Sequence, residues 1–444
     1  MLTDTAAAFK QYNQRIEAAL FLIATPFLLF PASFLPGTLL ALMLIAAIWL
    51  APLLFARKPL PPTTPLHLVL MLFCVMLIIS TLVTADPALT LPKITNILLG
   101  LTLWRMLILW NKQRPFLPRA TFLFILIGLG FTLIGILNAD WVAKAPSQID
   151  LLQNIVTQRS WQVFALAGAE SGIHPNQVAG VIMLYLPLLF SLGIGWLWQQ
   201  PDRRWLWLCL TTVILITAIA LLFTQSRSGW LGFSAGLFAL LLLWAIILSP
   251  SRLRTTLWIT LSVAFLIGLI TIAQVGSEGF QLFWNEPQQE TIIGSTTTIS
   301  YRQAIWPTAL QAIGDFAFTG TGLGSFRQVA RRLYPISIST DFDIAHAHNV
   351  FFQVALDMGI PGLIAYLALL LIAVTLCWQA ARCNMELRPY ALGFLAGLIA
   401  FHIYGLTDTI ALGAKPGLLF WWLLGLITTL PQILQLSDKS TIQP

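Results

Sequence analysis

The chain has 444 residues, 58% of them hydrophobic and only 9% charged, with a mean hydropathy of +0.83. A soluble domain carries about a quarter charged residues, so this composition excludes a soluble globular protein and points to a polytopic membrane protein. The net charge of +7 lies mostly in short loops between apolar runs, where basic residues set orientation rather than bind nucleic acid.

The first residues, Met1 to Arg15, are polar and include Lys10 and Arg15. The apolar run from near Ile16 has no small-residue cleavage site followed by a soluble chain, so it reads as a first membrane helix. At about 20 residues per crossing, the apolar runs predict about twelve spans. They are Glu17–Ser33, Pro36–Phe55, Leu66–Val83, Pro92–Trp110, Ala120–Leu137, Gln177–Trp198, Trp205–Phe223, Gly229–Leu248, Thr256–Gln274, Asn349–Trp378, Pro389–Tyr404 and Gly417–Leu434. The first two form a hairpin over Pro31 and Pro36, and the tenth is long enough to break at Gly359-Ile360-Pro361-Gly362. The four cysteines, Cys74, Cys209, Cys377 and Cys383, have neither zinc spacing nor the look of a secreted disulfide framework.

Twelve spans place the basic pairs on one side. These are Arg57-Lys58, Lys112 with Arg114 and Arg119, Arg203-Arg204, Arg252 with Arg254, and Arg382 with Arg388. Lys10, Arg15 and Lys439 join them, so this side is cytoplasmic and holds both termini. The opposite loops are Thr84–Leu91, Asn138–Asn176, Gln225–Ser228, Gln274–His348 and Gly405–Pro416. Within Asn138–Asn176, Ile149–Phe164 has the pattern of an amphipathic surface helix.

The largest outward loop is a polar island from about Gln274 to Phe351. It carries Glu278, Glu286, Glu290, Arg302, Asp315, Arg327, Arg331, Arg332, Asp341 and Asp343, and ends in His346-Ala347-His348-Asn349. Two short helices are expected in it, over Tyr301–Ile313 and Phe326–Leu333. A polar segment among membrane spans, with basic residues and a His pair at its exit, suggests an active site for an anionic substrate at a membrane surface.

Candidate chemistry follows in chain order. His174-Pro175-Asn176 starts the sixth span and reads first as a helix start, with His174 or Asn176 reaching the cavity as the alternative. Arg227, in Thr224-Gln225-Ser226-Arg227-Ser228-Gly229, is costly near membrane depth unless it meets an anion or snorkels to the interface. Facing a cavity it would bind phosphate, with Ser226 and Ser228 as extra donors. Arg302 opens the first island helix, where backbone N–H groups favour an anion, or it is a solvated surface charge. Gly320-Thr321-Gly322-Leu323-Gly324-Ser325-Phe326 lacks the strand and the spacing of a nucleotide fingerprint and reads as a tight turn packed on the membrane surface.

His346 and His348 admit three readings: a neutral imidazole acting as base, a metal site with Asp341 and Asp343, or capping histidines. Asp408 either orients a histidine, binds a sugar hydroxyl, or is an exposed acid. A transporter or flippase for an amphipathic anionic glycolipid would also place arginines in a membrane cavity, but no internal repeat of the transporter kind is visible. A third possibility is a non-catalytic membrane scaffold whose outer loop binds proteins.

The pieces resemble, in order and spacing, the O-antigen ligase and polymerase superfamily. The resemblance rests on His174-Pro175-Asn176 with Ala179-Gly180, Thr224-x-Ser226-Arg227-x-Gly229, Ser300-x-Arg302…Trp306, Gly320-x-Gly322-x-Gly324-x-Phe326, and His348-Asn349…Asp357-x-Gly359-x-x-Gly362. It covers roughly 172–371. It implies an all-α, GT-C-like membrane fold and an inverting, metal-independent glycosyltransferase of the bacterial cytoplasmic membrane that needs no cofactor. The donor would be a polyprenyl-diphosphate-linked glycan, and the acceptor a hydroxyl on a glycan, lipid core or protein. Carried over, Arg227 and Arg302 bind the diphosphate, and His348 takes the acceptor proton. His346, Asn349, Asp408 and Asn176 are further site candidates, and no metal is expected. The implied organisation is N-terminal transmembrane helices with an outer loop (1–176), a catalytic region (177–371, with the outer loop 274–348), and C-terminal transmembrane helices (372–444).

Overall fold

The computed structural model describes residues 2–56, 62–111, 116–139, 173–199, 204–284, 299–336, 338 and 343–442. The expected helix Ile149–Phe164, the loop residues Arg57-Lys58, Lys112, Arg114 and Arg203, and Glu286, Glu290 and Asp341 lie outside the described residues.

Among the described residues the chain is helical, with one isolated parallel bridge, Ala139 to Ile173, and no named strand. The helices are α1 (Leu2–Leu29), α2 (Leu35–Ala56), α3 (His67–Leu82), α4 (Pro87–Asn111), α5 (Leu117–Asn138), α6 (Pro175–Gln199), α7 (Arg204–Phe223), α8 (Arg227–Ile247) and α9 (Arg252–Trp284). The island contributes α10 (Ile299–Asp315) and α11 (Phe326–Leu333). Then follow α12 (Val350–Cys383), α13 (Arg388–Tyr404) and α14 (Leu418–Ile442), the last preceded by a 3₁₀ turn at Lys415–Gly417.

Each expected span falls on one of these helices, and both island helices form. On length and apolarity, however, eight described helices qualify to cross a membrane rather than twelve: Pro87–Asn111, Leu117–Asn138, Pro175–Trp196, Arg204–Phe223, Arg227–Ile247, Arg252–Gly276, Val350–Cys383 and Lys415–Gln435. The apolar helices Leu35–Leu50 and His67–Leu82 are shorter. α13, at 17 residues, is also under the roughly 20 residues of an ordinary crossing. The ninth expected span ends at Gln274, close to the non-helical Gly276 (φ 58°) that kinks α9 and closes its membrane-length segment Arg252–Gly276; a second helical segment runs on to Trp284. The outer surface of the bundle is apolar, with Phe265, Leu266 and Ile272 of α9 all more than half exposed. Such a face is tolerable only where lipid tails replace water.

The core of the bundle is α6 packed against α13, and α13 against α8. Small residues allow the close approach. A Cβ at Gly236 of α8 would lie 2.6 Å from that of Ala400, and one at Gly397 of α13 would lie 2.7 Å from the Leu184 carbonyl oxygen. Because α6 and α8 begin, and α13 ends, at the same end of this trio, His174–Asn176, Arg227–Ser228 and Tyr404–Asp408 are brought together there.

α12 breaks where its sequence predicts. Gly359 has φ 70° and ψ 179° inside the helix, and Pro361 has no N–H to donate back to Asp357. Three of the groups released by the break find partners elsewhere in the bundle. Ser80 Oγ donates to the Asp357 carbonyl, Thr321 N (2.7 Å) and Thr321 Oγ1 (3.0 Å) donate to that of Leu356, and Ile360 N donates to that of Ala317 at 2.7 Å. The Gly320–Gly324 segment is therefore a tight turn that clamps the break, a contact the tight-turn reading did not foresee. Gly320 has φ 69°, and a Cβ there would come within 2.6 Å of the Leu356 oxygen. Gly320→Ala is expected to cost about 1–3 kcal/mol from backbone strain alone, read as a lowered apparent melting temperature in detergent. An unchanged melting curve would show that the turn does not hold the break.

Candidate active site

Past the end of α13 the chain folds back on the bundle and buries Asp408, which is 2% exposed. Its Oδ2 accepts a hydrogen bond from Asn176 Nδ2, and its Oδ1 accepts from Thr409 N at 2.8 Å. His348 Nδ1 lies 3.4 Å from Oδ1, and an Arg302 guanidinium nitrogen lies 3.9 Å from Oδ2. The His348 approach is within ion-pair range without the alignment of a hydrogen bond. Burial alone would push the Asp408 carboxyl up. The imidazoles of His348 and His346 and the Arg302 guanidinium outweigh that and hold it well below the usual carboxylate range. Asp408 is therefore an anion at neutral pH.

Arg302 sits in the first turn of α10, and its Nε donates to the Thr407 carbonyl at 2.6 Å. That bond ties the island to the loop between α13 and α14. Thr407 also meets α8, since its Oγ1 is 2.7 Å from Ser228 Oγ.

His348 has φ 51°, a left-handed conformation rare for a non-glycine residue. Holding it there costs on the order of 1–3 kcal/mol, the kind of strain that clusters at functional sites. The flanking residues over-determine the conformation. Ala347 N donates to Gln353 Oε1 at 3.0 Å, and Asn349 caps α12 by accepting from Phe351 N (2.9 Å) and Phe352 N (3.1 Å). Tyr301 presents an edge contact to the imidazole, with ring centroids 5.2 Å apart, and burial pushes its phenol up to about 12. With Nδ1 turned to an anionic carboxylate, the proton belongs on Nδ1 and the lone pair on Nε2.

His346 lies against His348, with ring centroids 4.1 Å apart, and its Nδ1 accepts from His348 N at 3.2 Å. Burial, then the neighbouring His348, holds it well below the ordinary histidine range against the opposing pull of Asp408. It is neutral at pH 7, with one nitrogen engaged by backbone.

The structure thus gathers Arg302, His348, His346, Asp408 and Asn176. Asn349 is committed to its cap and to the Leu406 carbonyl, to which its Nδ2 donates at 3.0 Å. Arg227 is the first residue of α8, beside Ser228, but its side chain is exposed and pairs with none of these residues. The serines flanking it are engaged within the protein: Ser226 Oγ accepts from Gly229 N at 3.2 Å as a helix cap, and Ser228 holds Thr407.

The acid set expected for a metal changes as well. Asp343 pairs with Arg327 at 3.1 Å. The cluster with metal-ligand spacing is instead His346, His348 and Asp408, whose donor atoms lie within 4.8 Å of one another. Sequence reading missed three contributors: Tyr301, Thr407, and Lys93, which is close enough to His346 to disfavour its protonation. A lysine in the first turns of an apolar helix was the available signal for Lys93. Tyr301 and Thr407 carried none.

Compared with known proteins, residues 212–367 match the family model for the O-antigen ligase domain, Wzy_C. The matched segment includes Arg227, Arg302, His346, His348 and Asn349 and leaves out Asn176 and Asp408. No curated protein matches the chain.

Proposed function

We propose, taking the O-antigen ligase similarity of 212–367 as the premise, that this membrane protein is an inverting glycosyltransferase. It moves a glycan from a polyprenyl-diphosphate carrier to an acceptor hydroxyl. The observation that carries the reading is the convergence of His348 and Arg302 on the single buried carboxylate of Asp408.

The glycosyl–phosphate bond is already activated, so no nucleotide or second carboxylate is required. His348 Nε2 takes the acceptor O–H proton as the oxygen forms its bond to the anomeric carbon. The carbon–oxygen bond to phosphate breaks on the opposite face, and its electron pair leaves with the polyprenyl diphosphate. Asp408 offsets the imidazolium as it forms. Arg302, fixed by the Thr407 carbonyl, and Arg227, at a helix start on the same end of the bundle, offset the charge on the diphosphate.

The site is assigned to the outer face and both termini to the cytoplasm. Supporting this, Arg204, Arg252 and Arg254, and Arg382 and Arg388 lie at the opposite ends of the helices that carry the site. The acceptor class, whether glycan, lipid core or protein, is left to the assay. Purified protein given polyprenyl-diphosphate glycan and each acceptor, without nucleotide or metal, is expected to release carrier. No release with any acceptor would contradict the proposal.

The fork of Arg227 gives a sharper test than its charge. Arg227→Lys keeps the charge but loses bidentate phosphate binding, and is expected to lower kcat/KM for donor about tenfold, roughly 1.4 kcal/mol. Wild-type kinetics would make Arg227 a bystander.

The spacing of His346, His348 and Asp408 favours one second reading, a metal-assisted reaction. Activity abolished by a chelator and restored by a divalent ion would select it.

A further inference from the structure

A cavity of about 380 Å³ opens where the end of α3 meets the island between Phe316 and Leu333. Its walls include Val83, Ala85, Phe316, Thr321, Val329 and Arg332, and none of Arg227, Arg302, His348, Asp408 or Asn176 lines it. The size is within the range of small-molecule sites, about 300–1,000 Å³.

Three features define its occupant. The walls are mostly apolar, and bulky apolar side chains stand exposed around them: Leu82 at 79%, Phe318 at 81% and Leu333 at 59%. The place is the end of an apolar helix, where a bilayer gives way to water. The lining holds one charge, Arg332, and no acid. Its neighbours on α11 are engaged, Arg327 by Asp343 and Arg331 by the Ile338 carbonyl at 3.4 Å, whereas Arg332 is exposed and has no such partner among the described residues. An apolar recess at the interface with one uncommitted guanidinium at its wall matches a lipid tail and a phosphate.

We infer that this cavity holds an acyl chain of an anionic phospholipid of the surrounding bilayer, with its phosphate on Arg332. The site also has a structural consequence. Thr321, which forms part of its wall beside Gly320, clamps the break in α12 by donating to the Leu356 carbonyl. A seated chain would brace that turn, and with it the start of α12 that fixes His348. The inference rests on the chain lying in a membrane and stands apart from the transfer reaction.

Photocrosslinking tests it without any activity readout. The full chain is placed in lipid nanodiscs with phosphatidylglycerol or phosphatidylcholine bearing a diazirine on one acyl chain, irradiated, digested and mapped by mass spectrometry. Phosphatidylglycerol is expected to label the peptides around Val83 and from Phe316 to Leu333 in preference to phosphatidylcholine. Arg332→Gln should lower phosphatidylglycerol labelling about fivefold, to the phosphatidylcholine level. Val329→Trp, which fills the recess, should suppress labelling by both lipids. Equal labelling by the two lipids in the wild type, or labelling unchanged by Arg332→Gln, would overturn the inference. Arg332 is exposed, so its replacement leaves the test valid even if Val329→Trp fails to fold.

Discussion

His348→Ala is expected to lower carrier release by about 10²–10⁴-fold, the usual contribution of a positioned general base, with the melting curve unchanged. Two structural facts favour His348 over His346 for this proposed role. Its Nδ1 faces the anionic Asp408, which leaves Nε2 as the basic nitrogen, and its backbone is held in a left-handed conformation by the cap that follows. His346 has its Nδ1 on the backbone and stays neutral through burial. His346→Ala is therefore expected to retain activity to within about tenfold, the loss arising from the packing it provides to its neighbour. Near-normal release by His348→Ala, or an equal collapse in both variants, would remove the base assignment.

The second large effect is expected at Asp408, which the family match leaves out. Asp408→Asn keeps the shape of the side chain and its place beside Asn176 but removes the charge. An amide can turn its N–H toward His348 Nδ1, which moves the imidazole proton to Nε2, the nitrogen that must accept. The same change leaves the forming imidazolium and Arg302 without their anion. A carboxylate that orients a catalytic histidine contributes up to about 10⁴-fold in the serine proteases, and a loss on the order of 10²–10⁴-fold is expected here. It should fall on kcat rather than on KM for the donor if Asp408 acts through His348, as its placement against Nδ1 supports. Asp408→Glu should recover part of the rate. A variant with Asn at this position that turns over normally, or one in which only KM rises, would show that Asp408 does not act through His348.

Much of the fold was legible because lipid imposes a simple rule: the chain must stay helical and apolar wherever it crosses. That rule gave the spanning helices, while Gly359 and Pro361 gave the break and helical spacing gave the two helices of the island. Eight of the described helices meet the length and apolarity of a full crossing, while α3 and α13 are apolar but shorter, at 16 and 17 residues. The expected end of the ninth span at Gln274 falls two residues before the non-helical Gly276, where the membrane-length segment Arg252–Gly276 ends and a second helical segment runs on to Trp284.

The site was legible where residues carry local signals. Arg302 at a helix start and His348 before a cap are examples. Asp408 was left between three readings, because the fact that decides its place is the packing of α13 against α6, a contact no local pattern encodes. The same packing explains why Asn176, read first as part of a helix start, points its amide at Asp408. At Arg227 the sequence left a phosphate ligand and a snorkelling cation as alternatives; what it did not show is that Ser226 accepts from Gly229 N as the cap of α8.

The central claim is that one outward-facing site binds the carrier diphosphate beside His348. A cryo-electron microscopy map of the protein in nanodiscs with a non-transferable polyprenyl-diphosphate glycan tests it most directly. The account predicts the diphosphate between Arg227 and Arg302, with the anomeric carbon on the side of His348 Nε2 and away from the face that carries Arg252 and Arg388. Diphosphate density in a different cavity, or at the end of the bundle bearing those basic loops, would contradict it.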